Sequence, residues 1–449
     1  MALASPLRVA VIGSGPAGIY AAEALVKQAD GNVRVDVFDR LPTPYGLVRY
    51  GVAPDHTSIK SIARYLQRVL EHPAVRFLGG VELGSDVTRE DLIACYDAVI
   101  YATGAMVDRH LGIPGEDLPG SVAATDFVNW YCGHPDAAGL DVDLSPDAVA
   151  VIGVGNVAVD VVRILAKTAD ELRDTDVPEP VLTRLGDSGV RRIHMIGRRG
   201  PAQAKFTTKE LRELGALPHA DVHVPAEDME LDPASAELAE SDRHVRGNVK
   251  VMREWTGRPA GDSPRHLDLR FWLRPVEILG TGRVEGLRLE HTTLNEQGRV
   301  MGTGTYETLP VGLVLRSVGY QSVPLPGVPF DPRANVVPND GGRVLGDDGR
   351  AQPGEYVAGW IKRGPTGVIG TNKADAAETV RALLADLEGR ATERPSIETL
   401  LESRGVRAVT YDDWLRIDAK EIALARALDR GERVKLVGWG ALRDACRPH

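Results

Sequence analysis

Apolar runs that end in glycine alternate with amphipathic stretches along most of the chain, and this alternation predicts an α/β fold. The first run, residues 9–12, ends in a turn that contains Gly13, Gly15 and Gly18, and residues 19–29 then have the composition of a helix. A strand, a glycine-rich turn and a helix in this order are typical of a dinucleotide-binding unit, whose pyrophosphate lies on the helix N-terminus. The alternative is a tight strand-to-helix turn that binds nothing.

The next segments continue the pattern. Apolar residues 33–38 end at Asp39, about where a carboxylate accepts a ribose hydroxyl in such a unit. Residues 41–56 hold too many prolines and glycines for a helix or a central strand, so we expect a loop over the cofactor, or alternatively an ordinary connection. Further on, the pattern predicts a helix at 58–71 and strands at 75–78, 81–83 and 97–103. The last strand ends at Gly104, where a small residue would let the backbone pass close to a cofactor.

Residues 149–158 repeat residues 9–18 nearly residue for residue, with Gly153, Gly155 and Ala158 at the positions of the three glycines. A helix is expected at 159–166. The repeat predicts a second dinucleotide-binding domain and therefore a second nucleotide.

The strand that follows the second turn, predicted at 191–196, ends in Gly-Arg198-Arg199-Gly and not in an acid. Guanidinium groups bind a 2′-phosphate bidentately, whereas a carboxylate would repel it, so this unit is predicted to bind a 2′-phosphorylated dinucleotide. Two surface arginines in a turn are the alternative. The long spacing from Ala158 to the arginines indicates an insertion, which we place at 170–188.

The rest of the middle region is less informative. Residues 206–214 predict a helix with Thr207 or Thr208 as its N-cap and with Glu210 and Glu213 on one face, although most such pairs are solvated charges. Within the charged stretch 221–304 we expect an antiparallel sheet, inserted in or packed on the second domain, with strands near 266–273, 276–279 and 287–291. Residues 312–319 resemble the strand before Gly104 and predict an equivalent strand in the second domain.

Near the C-terminus, a strand at about 355–359 runs into a glycine-rich turn, and a helix is expected at 372–387. The N-terminus of that helix would favour negative charge, such as that on a reduced flavin. Trp360 is expected to pack near the ring, with a plain core position as the alternative. Residues 395–449 predict two more helices, near 397–404 and 414–428, with no role beyond packing.

Composition narrows the possible functions. A chain of 449 residues predicts two or more domains, and its net charge of −10 argues against broad binding to nucleic acid or anionic membranes. Cys95, Cys132 and Cys446 are far apart without a CxxC pair, so no redox disulfide, iron-sulfur cluster or zinc site is expected. No apolar stretch is long enough to span a bilayer, and the first strand leaves no room for a leader. We therefore expect a cytoplasmic protein.

The motifs GSGPAG, LPTPYGLVRYGVAPDH, YATGA, GVGNVAVD, GRRGP, FTTKELREL and GWIKRGPTGVIGTNK occur in an order that resembles the adrenodoxin-reductase type of ferredoxin-NADP reductase, including its bacterial members. The resemblance spans nearly the whole chain. It departs at Asp39, where glutamate is common, and is loose at 170–188 and at the C-terminus. It implies a glutathione-reductase-like α/β fold of two doubly wound dinucleotide-binding domains. The NADP domain, 108–322, would be inserted between two parts of the FAD domain, 1–107 and 323–449.

The resemblance also implies site residues. Together with the glycines of the first turn and Gly104, FAD contacts are expected at Ala17, Asp39, Leu47, Leu83, Trp360, Gly367, Val368 and Ile369. NADP contacts are expected at Arg109, Val154, Gly155, Asn156, Val157, Arg198, Arg199, Glu210 and Gly367. His56 and Glu213 match a pair that lies near the flavin in this family, and they are the candidate catalytic residues.

The expected activity is hydride transfer from NADPH to FAD followed by electron transfer to a ferredoxin or similar one-electron carrier, because the chain has no cluster or disulfide of its own. Alternatives are an electron-input subunit of an iron-sulfur complex, as in the glutamate synthase small chain, and a non-catalytic flavin or NADP sensor. We expect a monomer without nucleic-acid or membrane partners. Six basic residues are candidates for the face that docks an acidic carrier: Lys209, Arg212, Arg243, Arg246, Lys250 and Arg253.

Overall fold

The computed structural model of the protein describes residues 6–30, 32–258, 261–387 and 394–447. The chain forms two compact units. The first contains Met1–Val52, His56–Val107 and Tyr320–His449, and the second contains Ala53–Asp55 and Asp108–Gly319. The second unit is therefore inserted in the chain of the first, and each unit contains one of the two glycine-rich turns.

The first unit is built on a seven-stranded sheet with five parallel strands and an antiparallel edge. In spatial order the strands are Asn339–Asp340, Arg343–Leu345, Ala351–Val357, Ala98–Tyr101, Leu7–Ile12, Val33–Asp39 and Val75–Gly79. Val9 and Val11 belong to one apolar cluster and Ala10 and Ile12 to another, so the central strand is buried on both faces. Such burial is typical of a doubly wound parallel sheet.

The helices of the first unit are Pro16–Gln28, Leu47–Tyr50, Thr57–Lys60, Ala63–Leu70, Arg89–Cys95, Trp360–Arg363, Thr371–Asp386, Ile397–Ser403, Tyr411–Ala427 and Gly438–Ala445. Several predictions need correction. Residues 81–83 are not a strand, because only Leu83 pairs, in an isolated bridge with Val87. The C-terminal segment holds a third helix, Gly438–Ala445, beyond the two that were expected. The loop 41–56 contains one helical turn, and the helix expected at 58–71 is broken after Lys60, where the Ser61 hydroxyl donates to the Ser58 carbonyl at 2.7 Å. A side chain that hydrogen-bonds the backbone locally competes with the helix.

The second unit is built on a six-stranded parallel sheet. In spatial order its strands are Ser121–Ala123, Leu313–Arg316, Ala148–Ile152, Arg192–Ile196, Arg265–Arg270 and Ala220–His223. Its α-helices are Ala124–Tyr131, Asn156–Ala166, Ala169–Leu172, Glu179–Gly186, Thr208–Leu214, Pro233–Ser241 and Arg243–Arg253. Short 3-10 helices lie at Pro135–Ala137, Pro201–Gln203 and Glu227–Met229. The predicted equivalence of 312–319 with the strand before Gly104 is confirmed, because each of these strands pairs with the strand before a glycine-rich turn.

The charged stretch 221–304 differs from the prediction. Arg265–Arg270 is a parallel strand of the six-stranded sheet, and the antiparallel sheet consists of Leu273–Leu279, Gly286–Leu294 and Val300–Leu309. Two helices, Pro233–Ser241 and Arg243–Arg253, form where none was expected. The second of these buries a narrow apolar stripe beneath its charged face, and that stripe is inconspicuous in so polar a sequence.

Apart from Ala53–Asp55, the chain passes between the units near Val107 and Gly319, where the short strands Val107–Asp108 and Tyr320–Gln321 lie. The sequence predicts the second crossing after residue 322. Tyr320 belongs to the first unit, where its ring stacks on that of Trp360 with 5.8 Å between centroids. No helix in the described ranges is long and apolar enough to cross a membrane.

Candidate cofactor-binding sites

The first glycine-rich turn is tightly packed against the neighbouring backbone. Gly13 has φ +112°, and an added Cβ would lie 2.5 Å from the Ala102 carbonyl oxygen. A Cβ on Gly18 would lie 1.9 Å from the Gly13 carbonyl oxygen. Gly15 is the N-cap of Pro16–Gln28, and no side chain in the described ranges caps this helix end. The uncapped N–H groups are a suitable site for a phosphate.

Asp39 lies at the end of the strand beside this turn. Its carboxylate accepts hydrogen bonds from the Ser14 N–H at 2.9 Å, the Ser14 hydroxyl at 2.6 Å and the Leu41 N–H at 2.9 Å. Burial raises the pKa of Asp39, although these three donors oppose the shift. The carboxylate is therefore held in place at the turn, and its oxygens can accept a further bond from a ribose hydroxyl. The sequence did not identify Ser14 as a part of this arrangement.

The loop at 41–56 touches the same turn. The Tyr45 N–H donates to the Ser14 carbonyl at 3.0 Å. Gly46 has φ +47°, and its added Cβ would lie 2.9 Å from the Gly15 Cα. Leu47, the first residue of the helical turn, is half-buried. A larger residue than glycine at position 46 would push the loop off the first glycine-rich turn.

The C-terminal part of the first unit meets the same helix. A Cβ on Gly359 would lie 2.5 Å from the Ala17 Cβ, and the Gly359 N–H donates to the Asp375 carboxylate at 2.6 Å. Trp360 follows, and its buried indole Nε1 has no acceptor among the residues that the structure describes. The structure thus brings Ala17 and Trp360 into one region of the first unit, as their expected common ligand requires.

The remaining expected FAD contacts lie at the rim of the same unit. Gly367, Val368 and Ile369 form the loop before Thr371–Asp386, and the Val368 side chain is 68% exposed. Gly104 has φ +80°, which glycine adopts without strain, and open space where a Cβ would stand. Leu83 is half-buried in a bridge with Val87. Gly367, which the resemblance assigns to both nucleotides, belongs to the first unit.

The second turn repeats the geometry of the first. A Cβ on Gly153, whose φ is +135°, would lie 2.1 Å from the Ser317 carbonyl oxygen. Gly155 is the N-cap of Asn156–Ala166, again without a capping side chain within the described residues. The Asn156 carboxamide oxygen accepts the Thr207 N–H at 2.8 Å and ties the turn to the segment before the next helix. The four expected contacts of this turn are all half-buried: Val154, Gly155, Asn156 and Val157.

The arginine pair follows the next strand of this unit. Arg198 is exposed and Arg199 is half-buried. The Arg199 Nε is buried without a hydrogen-bond acceptor in the described part of the chain, which is costly for a charged donor unless an anion satisfies it. Arg109 is exposed, and its backbone N–H donates to the Gly319 carbonyl at 3.0 Å.

Arg163, which the sequence did not single out, lies at the centre of a carboxylate cluster in the second unit. Its guanidinium donates to Asp55 through Nε at 2.7 Å and Nη2 at 3.0 Å. Asp160 lies at 2.8 Å, Glu213 at 3.3 Å and Glu210 at 3.8 Å from guanidinium nitrogens. Although burial raises it, the pKa of Asp55 is held well below its ordinary value by Arg163 and by Lys167 at 2.8 Å.

The two candidate catalytic residues belong to different units. Glu213 lies on Thr208–Leu214, a helix that Thr207 caps by accepting the Glu210 N–H at 3.2 Å. His56 is buried in the first unit, directly before Thr57–Lys60 and directly after Asp55. Arg163 therefore sets the position of Glu213 and also that of Asp55, the residue before His56.

The six basic candidates for a docking face are all exposed and lie on two helices of the second unit that pack together, Thr208–Leu214 and Arg243–Arg253. Three of them, Arg246, Lys250 and Arg253, line a groove of about 500 Å³. The Arg246 guanidinium donates to the Ala239 and Glu240 carbonyls at the end of the preceding helix. Arg246 therefore has a structural role, which the sequence did not predict.

Comparison with known proteins agrees with this architecture. Residues 7–211 match the family model described as pyridine nucleotide-disulphide oxidoreductase. NADPH-ferredoxin reductase FprA of Mycobacterium tuberculosis is 45% identical over 97% of this chain and 98% of that protein. The mitochondrial NADPH:adrenodoxin oxidoreductase of Arabidopsis thaliana is 40% identical over 98% and 95%.

A solved structure extends the similarity to three dimensions. The structure of Mycobacterium tuberculosis FprA in complex with NADPH superposes with a TM-score of 0.93 at 43% identity, covering 98% of this chain and 99% of that chain. Identity at this level over nearly the full length of both chains confirms the family that the motifs indicated. The chain belongs to the adrenodoxin-reductase type of NADPH-ferredoxin reductases.

Proposed function

We propose that the protein is a flavoenzyme that passes electrons from NADPH through FAD to a small iron-sulfur protein. The observation that carries this proposal is the full-length similarity to proteins named as NADPH-ferredoxin and NADPH:adrenodoxin reductases. The two units, each with its own glycine-rich turn, supply the two nucleotide sites that this activity needs.

The first unit is assigned to FAD. Its uncapped helix N-terminus would hold the pyrophosphate, Asp39 would accept the ribose hydroxyl, and the Trp360 indole, whose N–H has no acceptor in the described residues, would pack near the flavin. When bound, FAD supplies a two-electron acceptor that can release electrons singly. The same assignment places the loop at 41–56 over the pyrophosphate, because Gly46 lies against Gly15.

The second unit is assigned to NADPH. The helix N-terminus at Gly155 would hold the pyrophosphate, and Arg198 and Arg199 would bind the 2′-phosphate. The Arg199 Nε, which has no acceptor among the described residues, fits a phosphate oxygen. Arg109 and Glu210, implied by the resemblance, complete this proposed site.

We assign His56 and Glu213 the task of orienting and electrostatically tuning the reacting groups, because hydride transfer itself moves no separate proton. His56→Ala and Glu213→Ala are expected to slow flavin reduction in stopped-flow experiments or to shift the flavin potential, with FAD still bound. Glu254→Gln, an exposed acid at the end of Arg243–Arg253, is the control. Unchanged reduction rates and potential in both variants would remove the two residues from the active site.

The carrier is proposed to be an acidic ferredoxin that docks on the exposed bases of Thr208–Leu214 and Arg243–Arg253. The chain has a net charge of −10, so only an uneven distribution of charge can attract such a partner. We further propose a monomer in a reducing cytoplasm, where the three buried cysteines stay free thiols.

The visible spectrum of the purified protein is the direct test. We expect a yellow protein with one FAD per chain, rapid bleaching by NADPH, and repeated turnover when a ferredoxin is added. A protein that takes up no FAD on reconstitution would refute the proposal. Bleaching without transfer to any ferredoxin would favour a sensor or a subunit of a larger complex instead.

A further inference from the structure

The backbone of the arginine turn is held by two residues outside it. The Thr292 hydroxyl donates to the Arg198 carbonyl at 3.0 Å, and the Trp272 N–H donates to the Arg199 carbonyl at 3.2 Å. The Thr292 N–H in turn donates to the Trp272 carbonyl at 2.8 Å. These bonds connect the peptide groups of both arginines to a neighbouring part of the second unit.

Trp272 occupies an unusual conformation to make this contact. Its φ of +59° lies in the left-handed region, which a bulky side chain rarely adopts. Its ring packs directly on Gly200, the residue after the pair, where a Cβ would lie 2.1 Å from the ring atom Cζ2. The turn is therefore held on its backbone side by hydrogen bonds and at its end by an indole.

Thr292 is placed by an irregularity of the antiparallel sheet. The register of Gly286–Leu294 against Val300–Leu309 shifts between Glu290 and Thr292. Such a bulge redirects a side chain and is common beside functional sites. The Thr292 side chain is buried, and its hydroxyl is directed to the Arg198 carbonyl.

We propose that Thr292 and Trp272 are positioning residues for coenzyme preference, because they fix the backbone from which the Arg198 and Arg199 guanidinium groups reach a 2′-phosphate. The inference rests on the proposed function, in which this pair binds NADPH. Guanidinium forks recognise a phosphate only in a narrow geometry. A turn that moved freely would lose part of the binding free energy in ordering the pair. The rest of the nucleotide is assigned to the helix end at Gly155, which lies outside this turn.

Thr292→Val tests the proposal because it keeps the shape of the side chain and removes the hydroxyl. In the FAD-bound, full-length protein we expect the dissociation constant for adenosine 2′,5′-bisphosphate to rise about two- to tenfold, the value of one neutral hydrogen bond. The dissociation constant for 5′-AMP is expected to stay the same. In steady state, KM for NADPH should rise by a similar factor with kcat nearly unchanged. Thr292→Ser, which restores the hydroxyl, should bind as the parent does.

The neighbouring strand offers a matched control, since the Thr303 hydroxyl donates to the His291 carbonyl at 3.0 Å on an exposed part of the same sheet. Thr303→Val should leave both dissociation constants unchanged. Parent-like binding of the bisphosphate by Thr292→Val, or an equal loss for both analogues, would overturn the proposal. If Thr292→Val does not fold, Thr292→Ala supplies the same comparison.

A parallel measurement separates this inference from the proposed function. Arg199→Ala should weaken the bisphosphate about tenfold or more through loss of a charge-assisted bond. Parent-like binding by Arg199→Ala would show that the arginine assignment itself is wrong, and with it the basis of the inference. A loss in Arg199→Ala without a loss in Thr292→Val would leave that assignment intact and refute the role of Thr292 alone.

Discussion

The buried ion pair between Arg49 and Glu421 predicts that the C-terminal helices hold the loop that contacts the first glycine-rich turn. Glu421 lies on Tyr411–Ala427 with a side chain that is 0% exposed, and Arg49 lies in the helical turn directly after Gly46. Arg49 donates to both Glu421 oxygens, at 3.0 and 2.5 Å, and the Leu436 N–H donates to the same carboxylate at 3.0 Å. The two partners are 372 positions apart in the sequence.

Glu421→Gln should destabilise the first unit substantially. Removing one partner of a buried pair leaves the other charge uncompensated, at a cost of about 3–5 kcal/mol. The lower end applies here, because the Arg49 guanidinium also lies 5.0 Å from the ring centroids of both Tyr50 and Trp414 and keeps those cation–π contacts. About 3 kcal/mol corresponds to a decrease in Tm of roughly 6–12 °C for a unit of this size.

The same substitution should accelerate the release of FAD, because Arg49 anchors the segment that lies on Gly15. Differential scanning calorimetry measures the first effect, and the fluorescence of flavin released on dilution measures the second. Glu432→Gln is the matched control, since Glu432 is an exposed acid in the connection between the two C-terminal helices. Replacing both Arg49 and Glu421 by leucine should recover part of the Tm, because it removes the uncompensated charge of Arg49 but leaves the Leu436 N–H without its acceptor. A Glu421→Gln variant that unfolds within 1 °C of the parent and releases FAD at the parent rate would refute the reasoning.

Three further predictions concern the second unit. Replacing Arg198 and Arg199 with alanine should raise KM for NADPH by about tenfold to a hundredfold per lost charge-assisted contact and leave KM for NADH nearly unchanged; a surviving preference for NADPH would make the pair structural. Replacing Arg212 and Lys250 with glutamate should lower kcat/KM for ferredoxin but leave flavin reduction by NADPH unchanged. Raising salt from 0.1 M to 1 M should weaken ferredoxin-dependent turnover of the parent, because the Debye length falls from about 10 Å to about 3 Å. Equal ferredoxin kinetics of variant and parent at low salt would exclude this face. Burial raises the pKa of Asp228 to about 6, so the parent loses stability as pH rises from about 4 to 6. Asp228→Asn should therefore have a free energy of unfolding about 2–3 kcal/mol higher than that of the parent at pH 8, with no such difference at pH 4. Equal melting curves of the parent and the variant at pH 8 would show that burial of the ionised Asp228 carboxylate does not destabilise the fold.

The parts of the fold that the sequence predicts are those set by local constraints. Both glycine-rich turns were predicted from the local spacing of their glycines: Gly13 and Gly153 have positive φ, and Gly18 leaves room for the Gly13 carbonyl oxygen five residues earlier. The helices Pro233–Ser241 and Arg243–Arg253 were not predicted, since the first buries only Ser235 and the apolar stripe of the second is narrow. The strand Arg265–Arg270 was assigned to the wrong sheet. The alternation of apolar and polar residues along a strand indicates that one of its faces is buried, but it does not indicate which strand is its neighbour.

The charged residues that organise the two sites are a different case. Arg163 reads in the sequence as the end of an apolar helix, and its partner Asp55 lies 108 positions earlier in a loop. The carboxylates that compensate the buried Arg163 guanidinium come from separate parts of the chain, and tertiary structure alone brings them together. The same holds for Arg49 and Glu421. Motifs therefore indicate which residues we propose to contact the nucleotides, whereas the ion pairs that hold the neighbouring segments in place become visible only in the folded chain.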